Sequence, residues 1–63
     1  MKFVILDENQ NHISGPLDTI EGAKNAKDLL TTLDAANGKN TTLEIWNWDH
    51  EAKKPIDKIN VLG

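Results

Sequence analysis

Leu43-Glu44-Ile45-Trp46-Asn47-Trp48 is the stretch that decides the architecture of this chain. Side chains along a strand point alternately to the two faces of a sheet. Read as a strand, the segment sets Trp46 and Trp48 on one face and Leu43 and Ile45 on the other. Both faces then carry large apolar area, which places the strand inside a sheet. A second such strand opens the chain. Lys2 to Leu6 holds four consecutive apolar residues, two of them β-branched, ahead of the turn-forming Asp7-Glu8-Asn9-Gln10-Asn11. Here Phe3 and Ile5 share one face, and Val4 and Leu6 the other.

The remaining segments fit around these two. His12 to Leu17 reads as a short returning strand that Gly15 and Pro16 confine to an edge. Asp18 or Thr19 caps a helix over about residues 20–36; with Asp18 as cap, Glu21 completes a capping-box-like pair. Ile20, Ala23, Ala26, Leu30 and Leu33 recur at three- and four-residue steps, flanked by Leu29 and Ala36, and form the apolar stripe. Asn37-Gly38 supplies a left-handed stop. The third strand covers Thr41 to Trp48. Asp49 to Lys53 turns the chain, and Lys54 to Val61 is a weaker fourth strand with Pro55 near its start.

The expected fold is therefore α+β, a β-β-α-β-β two-layer sandwich in one domain, residues 1–63. A helix of about 16 residues rises roughly 24 Å, which matches the length of these strands. Strand order 2-1-3-4, antiparallel throughout, puts the two apolar strands at the centre and the two proline-bearing ones at the edges. Order 2-1-4-3 is the alternative, but it makes the polar fourth strand central. One helix covers one face. We expect Phe3, Ile5, Leu43 and Ile45 beneath it, leaving Val4, Leu6, Trp46 and Trp48 as an open, partner-binding face. The reverse phase competes, because Gly22, Ala23 and Ala26 make the helix slim enough for an indole beneath it.

Composition narrows function. The chain has 63 residues, ten acids, seven lysines and no arginine, for a net charge of −3. Duplex-binding proteins carry a basic stripe and use arginine on guanine, so nucleic acid is not the expected partner. No apolar run approaches the ~20 residues of a membrane span, and a cytoplasmic location is expected. Cysteine is absent, and a small domain lacking disulfides buries only ~60% of its unfolded surface. Self-association is one way to widen so thin a margin.

Catalytic and metal chemistry finds little support. His50 lies between Asp49 and Glu51, but adjacent turn residues point apart, and a solvated turn explains them. Asp7, Asn9 and Asn11 imitate the first ligands of a calcium loop with Asp18 as closing acid, yet His12 stands where the loop's glycine belongs. An Asx-rich turn accounts for them better. Ser14 has no nucleophile-elbow context, and no glycine loop cradles phosphate. The expectation is a non-enzymatic protein without cofactor or metal. It binds another protein or forms a homodimer through the open sheet face. The alternative is a stacking platform in which Trp46 and Trp48 hold bases or sugars, with Lys39, Lys53, Lys54 and Lys58 clustered at one end of the sheet. A third version, an acidic inhibitor of a basic surface, rests on charge sign alone. The β-β-α-β-β pattern resembles that of many small bacterial and phage proteins, with no diagnostic motif.

Overall fold

The computed structural model describes residues 2–59. Its elements run β1 (Lys2–Asp7), β2 (His12–Leu17), α1 (Ile20–Ala36), β3 (Leu43–Asp49) and β4 (Lys54–Ile59). The sheet is antiparallel in the order β2-β1-β3-β4, with the helix on one face: the α+β sandwich expected from the apolar runs and their breakers. Residues 41 and 42 stay outside β3, and the last two positions expected in β4, Asn60 and Val61, lie outside the described residues.

Both hairpins are closed by an aspartate that ends a strand. Asp7 Oδ1 accepts the N–H groups of Asn9 and Asn11 at 2.9 and 2.8 Å, and its Oδ2 accepts the Asn11 amide at 3.1 Å. Asp49 Oδ1 likewise accepts from the N–H groups of Glu51 and Ala52 at 3.0 and 3.1 Å. Each carboxylate satisfies turn amides that no strand partner reaches. The same bonds, that from the Asn11 N–H foremost, hold the Asp7 carboxyl below its ordinary range. Thr19, not Asp18, caps α1: its hydroxyl accepts the Gly22 N–H at 3.0 Å. Asp18 instead pairs with Lys2 of β1, which lowers its carboxyl pKa. At the far end Gly38 takes φ 77° and the chain turns away, with the Lys39 N–H donating to the Asp34 carbonyl at 2.7 Å.

Register assigns the faces. Directly opposed residues of an antiparallel pair share a face. Val4 stands opposite Trp46, Leu6 opposite Glu44 and Lys2 opposite Trp48. Phe3 stands opposite Asn47, Ile5 opposite Ile45 and Asp7 opposite Leu43. The side that holds the helix follows from chirality. Asp7 directs both its N–H and its C=O toward β2, bonding Asn11 and Gln10. For an L-residue this fixes β2 to the right of an upward β1 seen from the Asp7 face. A right-handed β2-α1-β3 crossover then lies over that face. Phe3, Ile5, Leu43 and Ile45 therefore lie beneath α1.

The helix packs on β1, β2 and β3, but not with the stripe the periodicity suggests. Ala23 is fully buried and Ala26 and Leu30 are partly covered, whereas Ile20 and Leu33 are exposed. Lys27 and Asp34 are partly covered in their place.

Candidate functional site

The face opposite the helix carries Lys2, Val4, Leu6, Glu44, Trp46 and Trp48 on the two central strands. The expected bare surface needs one correction. Val4 and Leu6 are 0% and 2% exposed, so neither offers area to a partner. Trp46 and Trp48 are half-buried.

Val4 is covered from both sides. His12 on β2 and Trp48 on β3 flank β1, and strands two apart in a sheet are separated by about 9.6 Å. Their rings nevertheless approach to a centroid distance of 5.5 Å in an edge-to-face arrangement. They meet above β1, and Val4 is the residue of that face between Lys2 and Leu6. The His12 ring is also fixed from below, since Nε2 lies 3.1 Å from the Gly15 carbonyl. A carbonyl only accepts, so Nε2 carries the proton in this bond. Gly15 itself presses on the central strand. A Cβ added there would sit 2.8 Å from the Phe3 carbonyl oxygen and 3.1 Å from Val4 Cα. His12, Gly15 and Trp48 together roof a single valine.

Trp46 is held differently. Its Nε1–H donates to Glu44 Oε1 at 3.3 Å, while Glu44 Oε2 accepts from Lys58 of β4 at 2.7 Å. The lysine, then the indole N–H, keep the Glu44 carboxyl below its ordinary range. At the other end of the face, Lys2, Trp48, Asp49, His50, Glu51 and Ile56 line an open hollow of about 480 Å³. Ile56 is 52% exposed there. Among the described residues Trp46, Trp48 and Ile56 give this face apolar area open to solvent, bordered by the Lys2–Asp18 and Glu44–Lys58 ion pairs.

Three contributors were not found by sequence reasoning. Ile56 sits in a strand too polar to attract notice, and its side depends on the irregular register between Trp46–Lys58 and Trp48–Pro55. His12 carries no sequence signal for a contact made across an intervening strand. Gly15 reads as an edge breaker, and its approach to Val4 is a matter of tertiary geometry.

Of the other candidates, Asp49 spends its carboxylate on the turn that contains His50, and Asp7 does the same in the Asx-rich turn. Among the described residues no three His, Asp or Glu side chains gather at metal-binding distance. The lysines do not cluster. Lys53 and Lys54 lie at the β3–β4 turn, Lys39 follows the helix at the opposite end, and Lys58 is paired with Glu44. No described helix is long and apolar enough to cross a membrane. No protein-family model, curated protein or solved structure matches the chain.

Proposed function

We propose that the chain is a non-catalytic protein–protein interaction domain that binds a protein partner through the sheet face opposite α1. The observation that carries the reading is that, among the described residues, no helix or second sheet packs on this face. Two half-exposed indoles and Ile56 lie around an open hollow, rimmed by charged pairs that suit a polar border. Tryptophan is enriched among the anchor residues of interfaces, and a hollow beside one receives an apolar side chain of a partner. Val4 and Leu6 serve as the rigid footing beneath the contact surface, with Trp46, Trp48 and Ile56 as the groups that touch. The stacking-platform alternative is weaker, because the two lysines nearest the indoles are already engaged by Asp18 and Glu44.

The test is a photo-reactive phenylalanine analogue placed at Ile56 in one variant and at Glu21, on the outer helix surface, in another. In cells that produce the chain, position 56 yields a discrete protein adduct that Trp48→Lys abolishes, and position 21 does not. Equal adducts from both positions, or none from 56, overturn the reading. A marked change in indole emission on titrating oligonucleotides or oligosaccharides at low salt would favour the stacking platform instead.

A further inference from the structure

Of the asparagines in the chain, Asn37 alone is followed by a glycine. That pairing has a chemical consequence. A main-chain nitrogen can attack the side-chain amide carbon of the asparagine before it and close a five-membered imide. A Cβ on the attacking residue obstructs the approach, and glycine has none. At Gly38 the surroundings are open as well, since nothing lies within 4 Å of where a Cβ would stand. Asn37 and Gly38 are both exposed at the end of α1, so water reaches the reacting atoms.

The fold holds this reaction back. Closing the imide needs the Gly38 nitrogen swung to the Cβ side of Asn37, and ψ 9° at Asn37 turns it away. The Gly38 N–H donates to the Ala35 carbonyl at 3.1 Å, and Asn37 Nδ2 donates to the Leu33 carbonyl at 2.9 Å. Nucleophile and leaving group are thus both engaged by α1 and come free when its last turn opens. Helix ends open far more often than the whole domain unfolds.

We propose that Asn37 is a self-modification site through which α1 loses its C-terminal cap irreversibly. The Gly38 nitrogen bonds to Asn37 Cγ, the Cγ–Nδ2 bond breaks, and the Gly38 amide proton departs with Nδ2 as ammonia. Water then opens the imide at one carbonyl or the other, leaving aspartate or isoaspartate. Water is the co-reactant, and nothing is oxidised or reduced. Neither product suits the cap. Aspartate offers only acceptors where Nδ2 donated to Leu33. It also brings an anion to the negative end of a helix whose last turn holds Asp34 and no base. Isoaspartate lengthens the main chain by one carbon, which takes the Gly38 and Lys39 amides out of register with the Ala35 and Asp34 carbonyls. The first event therefore keeps the turn open. The site lies on the helix, and the inference does not rest on the proposed function.

Incubating the full chain in neutral buffer, with and without guanidinium chloride, tests it, with each asparagine followed by mass-spectrometric peptide mapping. In denaturant, amide turns to acid at Asn37 at least tenfold faster than at any other asparagine, and Gly38→Ala slows the change at least tenfold. Comparison in denaturant removes any effect of that variant on folding. In native buffer Asn37 still reacts first, at least tenfold more slowly than in denaturant, and gives both acids. Chains that carry the change then exchange the amide hydrogens of residues 37–39 several-fold faster than unmodified ones, and Asn37→Asp shows part of that increase. Earlier reaction at another asparagine overturns the proposal. So do equal rates with and without denaturant, or unchanged exchange in the modified chain.

Discussion

Replacing Gly15 by alanine tests how firmly β2 is seated against the central strand. Gly15 has φ 105°, and the added methyl would lie 2.8 Å from the Phe3 carbonyl oxygen, 3.1 Å from Val4 Cα and 3.3 Å from Val4 Cγ1. Two of those atoms are backbone of β1, which is paired on both edges and cannot retreat without disturbing β3. A positive φ costs a residue with a Cβ about 1–2 kcal/mol. Forcing a methyl into packed surroundings adds about 1–3 kcal/mol. A domain of this length holds roughly 3–9 kcal/mol in total, so Gly15→Ala removes about half of it. Gly38→Ala is the matched control, since its φ of 77° carries the conformational cost but no atom lies within 4 Å of the new methyl. It loses only that conformational cost, about 1 kcal/mol at the low end of the range. Urea denaturation, followed by circular dichroism and indole emission, reads both. With a slope near ~1 kcal/mol per molar for so small a domain, the Gly15 midpoint falls by about 2 M or more and the Gly38 midpoint by about 1 M. Equal losses at the two sites would refute the reasoning. They would mean that the β2 edge yields and that its approach to Val4 is not enforced.

A double-mutant cycle on His12→Ala and Trp48→Ala measures the ring contact over Val4; the expected coupling is about 0.5–1.5 kcal/mol, and additive losses would dispose of the roof. Asn47 faces the helix with a buried Oδ1 that finds no hydrogen-bond partner among the described residues. Asn47→Leu is therefore expected to raise stability by about 1 kcal/mol, seen as a higher melting temperature; a loss would show that the amide is satisfied in solution. Asp7, Asp18 and Glu44 all titrate below their ordinary values in the folded chain. The folded state thus releases these protons more readily than the unfolded one, and the stability they contribute is present above the ordinary carboxylate range and lost as pH falls through it toward the depressed native values. The urea midpoint drops on acidification from about pH 6 to pH 3, and less so in Glu44→Gln; a flat profile would contradict the ion-pair geometry.

The architecture was legible because two strands apolar on both faces must be central and two proline-bearing ones must be edges. The helix limits followed from Asp18-Thr19 at one end and Asn37-Gly38 at the other, although which of the first pair caps was left open and only Thr19 does so. Alternation showed which residues of a strand share a face, Val4 with Leu6 and Trp46 with Trp48, but left open which face of the sheet lies beneath α1. The burial of Val4 and Leu6 was not legible. Alternation says which way a side chain points, but not that an indole reaches across a neighbouring strand to a histidine. The roll of α1 was also hidden. A stripe of apolar residues fixes a helix's preferred side, and the sheet, covering only part of that stripe, decides which leucines go uncovered. Ile56 escaped for a third reason, since one irregular step in pairing is enough to change the side on which an edge residue emerges.

The helix braces β1, β2 and β3, while β4 is fastened to the molecule chiefly along β3. Such a strand is a hinged flap rather than a wall. Its amides are expected to exchange with solvent through openings that leave the other three strands intact, whereas those of Val4, Ile5 and Leu6 wait for the whole domain to unfold. The Glu44–Lys58 pair and Ile56 belong to that flap or depend on it. Each time it lifts, the indole of Trp46 loses the carboxylate–lysine clasp at its edge, so the shape of the open face is tied to the least anchored strand of the fold.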